Sequence, residues 1–275
     1  MAAQVFRLPQ PPERRLGKGP DPFGYDPRLH AQMRPVAEFF YRRYWRIAAD
    51  GIERVPNDGP VLVVGNHSGG IPIDAAMLVT ALDLDHPQHR LLRCLYDRFV
   101  ADMPLMGEFY EKMGSVLASY ENARVLLGRG DAVGIFPEGV AGVAKGVGRR
   151  YRTQPFHTGF IRLSFEFQAP IVPVAIVGAE ETYPVIGKWK AAGVLAKLLN
   201  VPYIPVTPFF PLLGPLGMIP LPARWHIRFG EPMHLYRRTR STPPTRREVE
   251  ALSEHVRRQV QGMIHALLAE RDSVF

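Results

Sequence analysis

The chain is poor in cysteine and in lysine, and over long stretches it has no acidic side chain at all. Its one cysteine, Cys94, has no partner for an intramolecular disulfide and cannot build a multi-cysteine metal site. That excludes a disulfide-stapled secreted module and a zinc ribbon, and points to the reducing cytoplasm. Lysine is outnumbered by arginine, 6 to 28, within a net charge of +8 over 275 residues. Arginine suits bidentate recognition of phosphate and carboxylate, although coding bias yields the same excess. From Gly139 to Phe165 there is no Asp or Glu, while Lys145, Arg149, Arg150, Arg152 and Arg162 supply positive charge. Thr182 to Gly230 again lacks carboxylates, and Leu198 to Ala223 carries no charge of either sign. That last stretch has the length of a membrane span, but the prolines from Pro202 to Pro222 would break one ordinary helix. Residues 1–30 are polar and proline-rich rather than apolar, so no signal peptide is expected.

What is present is enough for a buried core: 46% of the residues are hydrophobic, which excludes disorder for the bulk of the chain. Residues 1–28 read as a flexible proline-rich arm, and 29–275 as one folded domain. After Pro35, the segment VAEFFYRRYWRIAADG reads as a helix ended by Gly51, its rings and arginines suited to a membrane surface or to packing. Short apolar runs at Val61–Val64, Ala132–Phe136, Pro170–Val177 and Trp225–Phe229 read as strands. Helical patterns lie at Asp74–Leu82, Tyr120–Leu127 and Phe156–Phe167, and a last helix over 245–270 opens on a Thr245/Glu248 capping box. Buried strands separated by helices imply an α/β fold with a mostly parallel sheet.

Several familiar signatures fail on spacing. Gly128, Gly130 and Gly134 miss the dinucleotide-binding pattern, Lys145 lacks the Ser or Thr of a phosphate-binding loop, and Ser68 is not in a hydrolase nucleophile elbow. What remains is Asn66-His67-Ser68-Gly69-Gly70-Ile71-Pro72-Ile73-Asp74 at the end of a strand. Asp74 can hold one ring N–H of His67, leaving the other nitrogen to take a proton from a hydroxyl. Glycines 69 and 70 would let backbone amides approach an oxyanion. A second turn, Phe136-Pro137-Glu138-Gly139, also ends a strand, so both would share the crevice at the carboxyl edge of the sheet.

Together with the Ile171-Val172-Pro173-Val174-Ala175 strand and the Arg228-Phe229-Gly230-Glu231-Pro232 segment, these blocks resemble the glycerolipid (lysophospholipid) acyltransferase family. The resemblance runs from Pro56 to about Pro232 and is nearest the phytyl-ester-synthase and diacylglycerol-acyltransferase-like branch. It implies a single α/β domain of the glycerol-3-phosphate acyltransferase type and transfer of an acyl group from acyl-CoA or acyl carrier protein to a glycerolipid hydroxyl. His67 would then be the base and Asp74 its orienting partner; Glu138, Gly139 and Asn66 would bind the acceptor. No metal or cofactor is implied beyond the acyl carrier as co-substrate.

The chain departs from that pattern in three places. His67 and Asp74 stand farther apart than is usual, Tyr120 falls near the expected phosphate-gripping arginine, and Val140-Ala141 replaces the usual Thr-Arg. Either the acceptor is uncharged, or Lys145, Arg149 and Arg150 supply the phosphate contacts. The implied partners are membrane lipids and the acyl donor, at the cytoplasmic face of a membrane, with 198–223 as the associating segment. No nucleic-acid motif is present. A hydrolase of the same esters and a non-enzymatic basic membrane-binding protein are the alternatives.

Overall fold

The computed structural model describes residues 21–67, 73–103, 105–143, 145–189, 204–237 and 244–275. Asp26 accepts the backbone N–H groups of Arg28 and Leu29 and so starts helix α1, Pro27–Glu38, with Pro27 in the first turn, where its missing donor costs nothing. The chain widens into a π-helical turn at Phe39–Tyr44 and then forms β1, Ala48–Asp50. There follow β2 (Val61–Gly65), α2 (Ile73–Asp85), β3 (Leu92–Tyr96), α3 (Arg98–Ala101), α4 (Met106–Lys112), β4 (Val116–Leu117), α5 (Tyr120–Gly128) and β5 (Ala132–Ile135). The second half adds α6 (Val140–Val143), α7 (Gly159–Phe167), β6 (Ile171–Val177), α8 (Ala179–Thr182), β7 (Gly187–Trp189), β8 (Ile204–Val206), β9 (His226–Phe229) and α9 (Arg246–Glu270).

Seven strands form one sheet in the order β1-β9-β6-β2-β5-β3-β4. Among them only β6 and β9 pair antiparallel; Leu62 of β2 lies opposite Val133 on one side and Ile171 on the other. Alternating side chains serve opposite faces. Val61 and Val63 pack with Leu78 and Leu82 of α2 and with Trp45, Trp225 and Phe229. Leu62 and Val64 pack with Leu126 of α5, Ile161 of α7 and Val256, Val260 and Ile264 of α9. Helices on both faces explain why every residue of β2 is buried and why the strand reads as an unbroken apolar run. The expected single α/β domain with a mostly parallel sheet is thus observed.

Several boundaries differ from expectation. Residues 1–20 lie outside the described residues, but from Asp21 onward the chain is docked, because Arg93 on β3 is only 3% exposed and takes the Asp21 carboxylate as its counter-charge. Arg93 also hid β3 from the sequence reading by interrupting its apolar run. The aromatic helix starts at Pro27 and keeps Pro35 inside, and Gly51 follows a strand rather than ending a helix. Ala48–Asp50 is recruited into the sheet by β9, a pairing partner remote in sequence. The capping box of α9 is present, with Thr245 Oγ1 accepting from the Glu248 N–H and Glu248 Oε2 accepting from the Thr245 N–H.

Of the uncharged segment, 198–203 lie outside the described residues. The rest pairs β8 with β7 and then makes a 3₁₀ turn at Gly214–Met218. Its return is pinned by the Tyr44 hydroxyl, which donates to Pro220 O at 2.5 Å, and by Trp45 Nε1, which donates to Leu221 O at 3.1 Å. Phe209, Leu212, Leu213, Leu216 and Ile219 are exposed, Leu212 to 83%. Among the described residues, no helix is long and apolar enough to cross a membrane.

Candidate active site

The carboxyl ends of β2, β5 and β6 meet, and each delivers polar residues from a turn. Asn66 directly follows β2 and is fully buried; its Nδ2 donates to Ile176 O at 3.0 Å, and its Oδ1 accepts from Ile176 N–H at 2.8 Å. Both ends of the amide are therefore engaged by β6, so Asn66 fastens the strand end that carries His67. Next in the chain, His67 places Nδ1 2.7 Å from Asp74 Oδ2. Asp74 is fully buried in the first turn of α2, where its Oδ1 also accepts from Ala75 N–H at 2.9 Å. Residues 68–72, among them the Gly69 and Gly70 expected to approach an oxyanion, lie outside the described residues, but their number does not keep the pair apart, because the start of α2 brings Asp74 to the end of β2. A carboxylate at Nδ1 fixes the tautomer with the proton on that nitrogen and leaves Nε2 as the basic one. Among the described residues Nε2 makes no hydrogen bond.

The turn after β5 lies against this pair. Phe136 stacks on the His67 ring, with centroids 4.5 Å apart. Glu138 is 2% exposed, and its carboxylate accepts from His67 N–H at 2.9 Å, from Gln154 N–H at 2.6 Å and from Lys145 Nζ at 3.2 Å. Three donors on one buried carboxylate hold the His67 backbone in place. Glu138 thus reaches His67 rather than standing open to an acceptor. Gly139 adopts φ +55°, a left-handed conformation that glycine accepts without strain, and it lines the cavity beside His67.

That cavity has a volume of about 130 Å³. Its walls include Val100, Tyr110, Ala118 and Phe136, with Cys94 among them and His67 at its edge. Burial pushes the Cys94 thiol up from its ordinary value, so it is no nucleophile, and raises the Tyr110 hydroxyl to about 12. Among the described residues no lysine or arginine lines the cavity, and the one acid there, Asp97, caps α3 through the Phe99 N–H.

The basic residues singled out for phosphate do not gather there. Lys145 turns inward: its side chain is 3% exposed, drawn between Glu138 and Glu180. Arg149 and Arg150 are exposed, and Arg150 is 3.9 Å from Glu181. Sequence reasoning missed Glu180 at the end of β6, although paired acids just past a buried strand are a recognisable signal. Among the described residues, no group of three or more His, Cys, Asp or Glu side chains is placed to hold a metal ion.

The arrangement can accept a proton at Nε2, stabilise the resulting imidazolium through Asp74, and admit an apolar chain beside it. The Acyltransferase family model matches residues 46–177, which contain the turns after β2 and β5 and end with β6. An uncharacterized protein of Mycobacterium tuberculosis is 41% identical over 259 residues, 93% of this chain and 71% of that protein. Phytyl ester synthase 2 of Arabidopsis thaliana is 30% identical over 145 residues, 49% of this chain and 20% of that one. The crystal structure of the 1-acyl-sn-glycerophosphate acyltransferase of Thermotoga maritima is similar in fold, with a TM-score of 0.56 at 17% identity, covering 90% of this chain and 83% of that one. The motif turns and the family match across them place this chain in the acyltransferase family, and the protein is an acyltransferase.

Proposed function

We propose that the protein transfers a fatty acyl group from an acyl thioester, acyl-CoA or acyl carrier protein, to the hydroxyl of an uncharged glycerolipid such as a mono- or diacylglycerol. The observation that carries this reading is that His67 opens on an apolar cavity whose lining, among the described residues, includes no lysine or arginine. A phosphorylated acceptor would need a cation beside its reacting hydroxyl, and Lys145 is already held by two carboxylates. The relative named as a phytyl ester synthase is consistent with an uncharged alcohol.

In this reading Nε2 of His67 takes the hydroxyl proton as the oxygen attacks the thioester carbonyl carbon. The new C–O bond forms, the C–S bond breaks, and the proton passes from Nε2 to the departing thiolate. Asp74 stabilises the imidazolium between these steps, and the apolar walls receive the acyl chain. The protein works at the cytoplasmic face of a membrane as a peripheral or monotopic enzyme. Its exposed leucines at 212, 213 and 216, with Ile219, enter the interface. Arg43 and Arg46, exposed on the turn that pins this segment's return, face lipid headgroups there.

The test is incubation with labelled oleoyl-CoA and a panel of monooleoylglycerol, dioleoylglycerol, lysophosphatidate and lysophosphatidylcholine, with identification of the lipid formed. Labelled neutral glycerolipid is expected. Preferred acylation of lysophosphatidate would overturn the acceptor class, and release of free fatty acid alone would show a hydrolase.

A further inference from the structure

Behind His67, an ion cluster joins three loops, and proton transfer at Nε2 makes no direct use of it. Lys145 lies just past α6, with its ammonium 3.2 Å from Glu138 Oε2, 3.5 Å from Glu138 Oε1 and 3.5 Å from Glu180 Oε1. Glu180 sits in α8, immediately beyond β6, and its Oε2 accepts from Tyr151 N–H at 2.9 Å. Its Oε1 accepts no hydrogen bond among the described residues, so the contact with Lys145 is a charge contact. Beyond it, the Tyr151 hydroxyl and Arg271 close on Glu181. All three ends of the Lys145 bridge are buried, with side-chain exposures of 3% for Lys145, 0% for Glu138 and 7% for Glu180.

We propose that Lys145 is a positioning residue for acyl transfer: it ties the Glu138 turn to the Glu180 turn and supplies the charge that lets Glu138 hold the backbone N–H of His67. A buried carboxylate without a counter-charge takes up a proton or moves toward solvent. Either change would weaken the hydrogen bond at His67 N–H and loosen the base by a fraction of an ångström. Such a displacement lowers the rate of the chemical step and leaves substrate binding largely intact. A lysine that gripped a substrate phosphate would show the opposite split. The proposal rests on His67 as the base and is indifferent to which acceptor is used.

The experiment measures kcat and both KM values for K145M, E138Q, E138Q/K145M and H67A, using oleoyl-CoA and whichever acceptor of the panel above the wild-type enzyme acylates. K145M is expected to lower kcat by at least about tenfold, with each KM within about twofold of wild type. Because Lys145 acts through Glu138, adding K145M to E138Q should change kcat by less than about twofold, a non-additive pair. If K145M does not fold by thermal melting, K145Q is read in the same way, since it removes the charge but keeps a donor. An unchanged kcat in the folded Lys145 variant, a raised KM with kcat preserved, or full additivity in the double variant each overturns the proposal. H67A separates the two readings. Activity in H67A defeats the base assignment itself, whereas an inactive H67A beside a normal Lys145 variant defeats only the role of Lys145.

Discussion

The ring of Phe136 lies over that of His67 at 27° between planes, while Asp74 holds the edge of the same imidazole at 2.7 Å. The base is thus fixed by a flat wall and by a hydrogen bond at one nitrogen. Exchange of Asp74 for Asn keeps the shape but offers an amide that can donate to Nδ1 and favour the wrong tautomer. D74N is expected to lower kcat by on the order of 10⁴-fold, as in the histidine–aspartate pair of serine proteases, and H67A to reach background, with the fold of both retained by circular dichroism. Near-wild-type turnover in either variant would remove the pair from the chemistry.

Gly142 in α6 packs directly over the site. A Cβ built there would stand 2.8 Å from Glu138 Cβ and 2.9 Å from His67 Cβ, both on a crowded backbone. G142A should therefore overpack the site, costing about 1–3 kcal/mol of stability, and should lower kcat by displacing the two residues it meets. Urea denaturation and initial rates check this; an unchanged midpoint would mean that α6 moves aside freely.

Glu180 makes a pH prediction. Burial raises its pKa from 4.5 to about 7, against the pull of Lys145. In the window from about 4.5 to about 7 the folded protein then binds more protons than the unfolded chain. This contribution falls as pH rises through the window and levels off above it, a loss of up to about 3 kcal/mol across the range. E180Q should flatten that decline, which denaturant melts at pH 5 and pH 8 would reveal. The same slope in wild type and E180Q would place the titration elsewhere.

The exposed leucines make a prediction at the membrane. L212D/L216D should reduce co-sedimentation with phosphatidylcholine/phosphatidylglycerol vesicles by at least about tenfold, since two apolar side chains leave the interface and two charges take their place. Thermal stability should be unaffected, because Leu212 and Leu216 are 83% and 69% exposed. Equal sedimentation of variant and wild type would assign membrane binding to another face.

Much of this was legible in the sequence because the central strands are buried on both faces. β2, β5 and β6 read directly as apolar runs, and the capping box announced α9. The strand bearing Arg93 was not legible, since its charge is neutralised by Asp21, which no local pattern connects to it. At the site, the His67/Asp74 pair was visible as residue types near a strand end. The inward turn of Lys145 was not: a lysine among arginines reads as surface charge until the two carboxylates that enclose it are placed. The partner of Asn66 was not legible for the same reason, being the backbone of a strand over a hundred residues away.

The backbone N–H of Leu221 donates to Thr182 O at 3.0 Å, so the chain that departs after α8 comes back beside its point of departure. The sheet therefore registers only a closed junction, whatever length or composition lies between, and loop-closure entropy changes slowly with that length. The excursion stays tied to the Lys145 segment where it begins, since Tyr183 and Val185 are buried and Val185 O accepts from Val147 N–H at 3.1 Å, so a change in its exposed apolar part need not reach His67.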